Sequence, residues 1–237
     1  MAAEFHQATL GRELCDAGDL PRHRHSSGYM TMILAGGYDE AGDVGRFRVR
    51  PGDLLVHRPF EAHRNAFGRR SAEVLNLPLV DLPQLAALNR LSDPDLVARL
   101  AERDPEAAAG AAAEQARPAA QGEWDWPDAL AAALRSESEP FLIGHWALER
   151  GLAPASVSRR FRLVFGTSPE RYRAEGRARR AWRHIVCTNQ PLAAIAFELG
   201  FADQAHMTRC VGAVTGRPPA RWRKGAKCVQ DRPPRLP

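Results

Sequence analysis

The chain has 237 residues, 44% hydrophobic and 26% charged, a balance that fits a soluble globular protein better than a disordered chain and leaves room for two modest domains or one large one. No run approaches the about eighteen apolar residues of a membrane span, and no basic stretch followed by an apolar one opens the chain, so a cytoplasmic protein is expected. Residues 141–237 hold 18 Lys and Arg against 6 Asp and Glu, leaving 15 against 22 in residues 1–140, so a half of net +12 follows a half of net −7 and a polyanion, nucleic acid first, is the expected partner of the basic half.

From about residue 20 to 80, short apolar runs alternate with Gly, Pro and Asp. That texture predicts strands at 29–35, 46–49, 54–57 and 73–79, with a tight turn at Pro51-Gly52-Asp53. His23 and His25 stand two apart and therefore share one face of a strand. His57 and His63 lie further along the chain. His57 is expected to be a satisfied core or surface histidine. Arg24, Arg48, Arg50 and Arg58 read either as binders of an acidic effector or as the wet face of a sheet. Cys15, Cys187, Cys210 and Cys228 form no C-x-x-C pair and read as core or surface thiols.

Residues 81–136 are rich in Ala, Leu, Glu and Arg and predict helices broken at Pro94, Pro105, Pro118 and Pro127. Leu85, Leu88, Leu91, Leu96 and Leu100 offer an apolar face to a partner subunit or to the chain's own N-terminal domain. The Ala-rich stretch 107–120 has the composition of a linker, and Trp124-Asp125-Trp126-Pro127 that of an anchor for the start of the basic half. The Pro-rich basic tail after Lys224 is expected to be disordered.

The basic half carries an internal repeat, 147–173 against 196–223 with one extra residue in the second copy. Ala147 and Ala196, Glu149 and Glu198, Gly151 and Gly200, Arg159 and Arg209, Gly166 and Gly216, Pro169 and Pro219, and Arg173 and Arg223 are identical pairs. Each copy has the punctuation of helix, tight turn, helix. Leu192, Ile195, Ala196 and Leu199 form the apolar stripe of one helix, and Met207, Cys210, Val211 and Val214 that of the next, which Asp203 caps. In the first copy Val157, Phe161, Val164 and Phe165 are the buried stripe. Between the copies a helix opening at Ser168-Pro169 buries Ala178, Ala181, Trp182 and Ile185. The faces left over carry small polar residues and arginines, the composition with which a second helix enters the major groove.

On these residues, 137–225 resembles the DNA-binding domain of the AraC/XylS family of regulators. The most specific pieces are PLAAIAFELGFADQAHMTR at 191–209 and the segments of pattern G-x-x-P-x-R-[Y/W]-R at 166–173 and 216–223. The resemblance implies that Ala155, Ser158, Arg159 and Arg162 face DNA from the first unit, and Gln204, Ala205, Thr208 and Arg209 from the second. The chain departs from the family pattern at Ala153, where a capping Ser or Thr is usual, and at Gly212, inside a helix. The N-terminal segment resembles a cupin-type barrel through H-x-H at 23–25, the Pro-Gly-Asp turn and His63. Tyr29 or Met30 stands where a metal-binding cupin has glutamate; the resemblance implies that His23, His25 and His63 either hold a divalent ion such as Zn²⁺, Fe²⁺ or Ni²⁺, which three imidazoles suit, or, without metal, line a small-molecule pocket. The expected architecture is therefore α+β: a small cupin-like β-barrel sensor at 1–82, a helical linker and possible dimerisation region at 83–136, an all-α domain with two helix-turn-helix units at 137–225, and a tail at 226–237. The implied partners are double-stranded operator or promoter DNA, a small-molecule effector, a second copy of the chain and RNA polymerase. A metal-dependent cupin enzyme fused to a DNA-binding module and a nonspecific architectural DNA-binding protein are the rivals; the absence of a carboxylate beside the histidines in sequence argues against the enzyme.

Overall fold

The computed structural model describes residues 5–69, 71–80, 82, 85–119, 125–136 and 141–230, with side chains as far as Gly225. The N-terminal part is built from β1 (Gly11–Cys15), β2 (Gly18–Arg24), β3 (Tyr29–Ala35), β4 (Tyr38–Gly42), β5 (Gly45–Val49), β6 (Asp53–His57), β7 (Ala62–Gly68), β8 (Ala72–Pro78) and β9 (Leu88–Arg90). With the two-residue β10 (Arg117–Pro118) they form a six-stranded sheet of order β1-β8-β3-β6-β9-β10 and a four-stranded sheet of order β2-β7-β4-β5. Among the described residues no ladder joins the two sheets, so the expected closed barrel is instead a pair of facing sheets. Short strands punctuated by turns read alike for both architectures, and only the pairing separates them.

Alternation along the strands decides what lies on each face. Met30, Met32, Leu54, Val56, Leu75 and Leu77 point away from the small sheet into one core. Ile33, Leu55 and Val74 point between the sheets and meet Tyr38, Phe47, Val49 and Phe67 of the small sheet. The first core is closed by α1 (Pro94–Ala101) and α2 (Pro105–Gln115). Pro94 and Pro105 begin these helices rather than break them, with Asp93 and Asp104 accepting the first free backbone N–H groups. The Ala-rich stretch is therefore no linker: Ala108, Ala109, Ala112 and Ala113 are buried, because their small side chains let α2 lie close on the sheet. Leu85, Leu88 and Leu91 are buried in this half as well, whereas Leu96 is 39% exposed.

The helical part comprises α3 (Trp126–Ser136), α4 (Ile143–Glu149), α5 (Pro154–Phe165), α6 (Pro169–Cys187), α7 (Leu192–Glu198), α8 (Gln204–Thr215) and α9 (Pro219–Gln230). Leu130, Ala131 and Leu134 of α3 pack with Trp146, Val157, Phe161, Phe165 and Tyr172, so α1 and α2 serve one core and α3 another. A second helical core holds Ala181, Ile185, Ile195, Ala196, Met207 and Val211. Each helical core corresponds to one copy of the repeat. The backbone of α9 stays helical to Gln230, past the point where composition suggested disorder; 231–237, Trp124 and the side chain of Cys228 lie outside the described residues.

Gly212 sits inside α8 with nothing within 4 Å of where a Cβ would stand. Gly212→Ala is expected to stabilise the protein by about 0.5–1 kcal/mol, chiefly by narrowing the unfolded ensemble. A urea midpoint equal to or below that of the wild type would contradict this.

Candidate functional site: two exposed helices and a histidine pocket

Helices α5 and α8 occupy equivalent places in the two helix-turn-helix units. Residues 155, 158, 159 and 162 recur at helical spacing, and Ala155, Arg159 and Arg162 are exposed with Ser158 half-buried on the same face. Gln204, Ala205 and Arg209 are exposed on α8, with Thr208 half-buried beside them. Asp203 caps α8 by accepting from the His206 N–H at 2.6 Å, whereas Ala153 offers α5 no side-chain cap. Both helices end in left-handed glycines, Gly166 at φ 68° and Gly216 at φ 72°. A side chain there would also strike the N-terminal half: a Cβ on Gly166 would lie 2.9 Å from Arg22 Cβ, and one on Gly216 3.0 Å from the Phe5 ring.

The outer face of the small sheet carries the helical half. Ala41 of β4 packs into the core of the first unit, and Tyr172 of α6 donates to the carbonyls of Gly42 and Asp43 at 3.2 and 3.1 Å. On β2, Arg22 and Arg24 both reach Glu175 of α6, at 3.2 and 2.8 Å, and Arg22 also pairs with Asp43. Arg179 of α6 joins Asp43 and Glu61, each at 3.4 Å. Asp43 further accepts the Ala62 N–H at 2.8 Å. Burial would raise the Asp43 and Glu175 carboxyls, but the surrounding guanidinium groups, Arg179 and Arg22 for Asp43 and Arg24 and Arg22 for Glu175, hold both below the ordinary carboxylate range. Beside this network Phe60 packs its ring against both Trp182 and Trp222, with centroids at 4.8 and 5.5 Å.

Between the sheets lies a cavity of about 470 Å³. His23 and His25 face it from β2 and the residue after it, and His63 faces it from β7, with ring centroids 4.4–5.4 Å apart. The three expected histidines are thus together, with donor atoms all within 4.8 Å of one another. Sequence reasoning missed two neighbours. His57, expected to be an ordinary core or surface residue, stacks on Tyr29 and sits 4.5 Å from His63, and Glu40 of β4 lies behind it, its Oε1 3.8 Å from His57 Nδ1. Glu40, His57 and His63 form a second donor set within 4.8 Å. The signal for Glu40 was weak: the carboxylate comes from a strand beyond the H-x-H segment rather than from it. Tyr29 holds the place of the expected glutamate, its hydroxyl 3.2 Å from His25 Nε2.

All of these imidazoles are kept neutral by burial and by one another: His25 falls to about 4, His57 to about 3, and His23 and His63 are lowered too. Neutral imidazole is the form that ligates metal. Both donor sets suit a divalent ion, since His25 Nδ1, His63 Nδ1 and Glu40 Oε2 are buried without hydrogen-bond partners. Arg24, Arg48, Arg50 and Arg58 do not line this cavity. Arg24 faces the helical half, Arg48 pairs with Asp39 at the surface, and Arg58 donates to the Leu85 carbonyl.

Residues 146–225 match a family model described as a helix-turn-helix domain. No curated protein matches the chain. Among solved structures, a transcriptional regulator with an AraC-type DNA-binding domain from Chromobacterium violaceum is 21% identical, over 41% of this chain and 88% of that one, with a TM-score of 0.38. The DNA-binding domain of AdpA in complex with a target DNA is 21% identical, over 46% of this chain and 100% of that one, with a TM-score of 0.41. ToxT from Vibrio cholerae, bound to an unsaturated fatty acid, is 8% identical, over 90% of this chain and 93% of that one, with a TM-score of 0.40.

Proposed function

We propose that this chain, whose residues 146–225 form a helix-turn-helix domain of the AraC type, is a sequence-specific DNA-binding transcription regulator controlled by a small effector in the N-terminal pocket. The observation that carries the reading is the repeated helix: α5 and α8 each present a polar, arginine-bearing face, and neither Arg159 nor Arg209 has an acidic partner among the described residues. A guanidinium left free on such a face can grip guanine with two parallel hydrogen bonds. Ala155, Ser158 and Arg162, and Gln204, Ala205 and Thr208, flank them as the remaining base-edge and phosphate contacts.

Effector control follows from strand β2. His23 points into the pocket, while Arg22 and Arg24, one residue to either side, point the other way and hold Glu175 on the helix that joins the two units. Anything that moves β2 to fit an occupant of the His23, His25 and His63 cluster moves the clamp on α6, and with it the angle between the two reading helices.

Fluorescence anisotropy with DNA from the gene's own upstream region, against a scrambled duplex, tests the reading. The native fragment is expected to win by a factor of about 10³ or more. Arg159→Ala and Arg209→Ala should each cost about 1–3 kcal/mol, roughly 5- to 150-fold in Kd. Equal, steeply salt-dependent binding to both duplexes would point to an architectural protein instead.

A further inference from the structure

The geometry points to the inner donor set, Glu40, His57 and His63, as a binding site for a borderline divalent transition-metal ion of the Zn²⁺ type, with His23 and His25 left to line the cavity in front of it. The three donors come from β4, β6 and β7, strands of both sheets, so the ion would tie the sheets together at the inner end of the pocket. Their ligand atoms lie within 4.8 Å of one another, near enough that small side-chain rotations close them on an ion with bonds of about 2.0–2.2 Å.

Glu40 is what separates this set from the outer one. Its side chain is 2% exposed and Oε2 has no hydrogen-bond partner. His57 Nδ1, at 3.8 Å, is too far for a hydrogen bond. A buried carboxyl kept only for packing would be expected to find a donor, because an unmatched one is costly. Among the described residues no lysine or arginine pairs with it. A dication at the three donors removes the anomaly by taking the buried carboxylate as a ligand. The outer histidines offer no negative charge. His23 Nδ1 bonds the Pro21 carbonyl at 2.9 Å and His25 Nε2 the Tyr29 hydroxyl, contacts that seat both rings in the cavity wall and leave His25 Nδ1 free. His57 and His63 both line the cavity, so water or an exogenous ligand would reach an ion held there from that side.

Metal binding is separable from DNA recognition and is tested without it. Full-length protein is stripped with a chelator and titrated with Zn²⁺ by calorimetry, alongside Glu40→Gln, His57→Gln, His23→Gln and His25→Gln, each first checked for native circular dichroism. The expected result is one ion per chain, with affinity falling at least about 100-fold in Glu40→Gln and His57→Gln, more than the loss of an outer partner usually costs, and staying within about threefold in His23→Gln and His25→Gln. X-ray absorption of the Zn²⁺-loaded wild-type protein gives an independent reading should Glu40→Gln or His57→Gln fail to fold: two imidazoles are expected. Three imidazoles, affinity lost in His23→Gln and His25→Gln, or no stoichiometric binding by the wild type would each overturn the assignment. Anisotropy on the same samples keeps the two ideas apart, since a wild type that binds Zn²⁺ but no DNA sinks the regulator reading and leaves the site standing.

Discussion

Glu175→Ala should unclamp the two halves of the molecule, lowering stability by about 3–5 kcal/mol, because it strands two buried guanidinium groups on one remaining acid. Arg22 and Arg24 are 10% and 12% exposed at the side chain and converge on the Glu175 carboxylate; without it Arg22 keeps Asp43, and Arg24 keeps only the Phe60 carbonyl. Glu175→Gln preserves one acceptor and should cost less. The size of the effect comes from the uncompensated charges, not from the worth of the pair in the wild type, which desolvation largely offsets. Acid should act in the same direction. Asp43 and Glu175 have carboxyls held below the ordinary carboxylate value, so their contribution is complete above that value, near 4, and fades as pH falls through and below it, where the unfolded chain binds protons that the folded one resists. Urea unfolding at pH 7, followed by tryptophan fluorescence, decides the matter; a Glu175→Ala midpoint indistinguishable from wild type would mean that the clamp stabilises nothing. Because Glu175 lies on α6, the helix between α5 and α8, the same variant should also change affinity for operator DNA under the proposed function.

The helical half was legible in the sequence because its periodicity and its glycines act locally. The stripes Val157, Phe161, Phe165 and Met207, Val211, Val214 are the buried faces, and Asp203 caps as its position suggested. In the N-terminal half only locally coded strands could be read. Residues 29–35, 46–49, 54–57 and 73–79 fall on β3, β5, β6 and β8, whereas β1 and β7 mix polar and apolar residues without a clean alternation and are defined by their partners. Whether the sheets close is likewise a matter of long-range pairing that no local pattern encodes. The pocket was half visible for the same reason. His23, His25 and His63 have motif spacing, but Glu40 joins His57 and His63 only through the register in which β4 lies beside β7, pairing Glu40 with Asn65 and Gly42 with His63. The clamp was hidden altogether. An arginine on a strand reads as a wet face until the element that covers it is known.

Replacing Phe60 is expected to uncouple the halves at their apolar contact, with Phe60→Ala costing about 3–5 kcal/mol for a lost aromatic ring and the space it leaves. The ring is 2% exposed and touches Phe5, Trp182 and Trp222. Its backbone is unusual too: φ is 64°, the one positive value for a non-glycine among the described residues, a conformation that costs a side chain about 1–2 kcal/mol. Packing against the tryptophans holds it there, together with the Phe60 N–H donating to the His25 carbonyl at 2.9 Å. Glycine gives a sharper test than alanine. In ordinary positions Gly is worse than Ala because it loses more freedom on folding, by about 0.5–1 kcal/mol. Here it also escapes the left-handed strain that Ala keeps, so Phe60→Gly should be no less stable than Phe60→Ala, with both well below wild type. A Gly variant clearly worse than the Ala variant would mean that the turn is not strained. The consequence for control is specific, because residues 57–63 run from His57 in the pocket, through Phe60 at the interface, and back to His63. Zn²⁺ or an effector bound among the histidines should still bind Phe60→Ala protein, while its influence on DNA affinity should shrink toward none; an undiminished influence would locate the coupling entirely in the Arg22 and Arg24 clamp on Glu175.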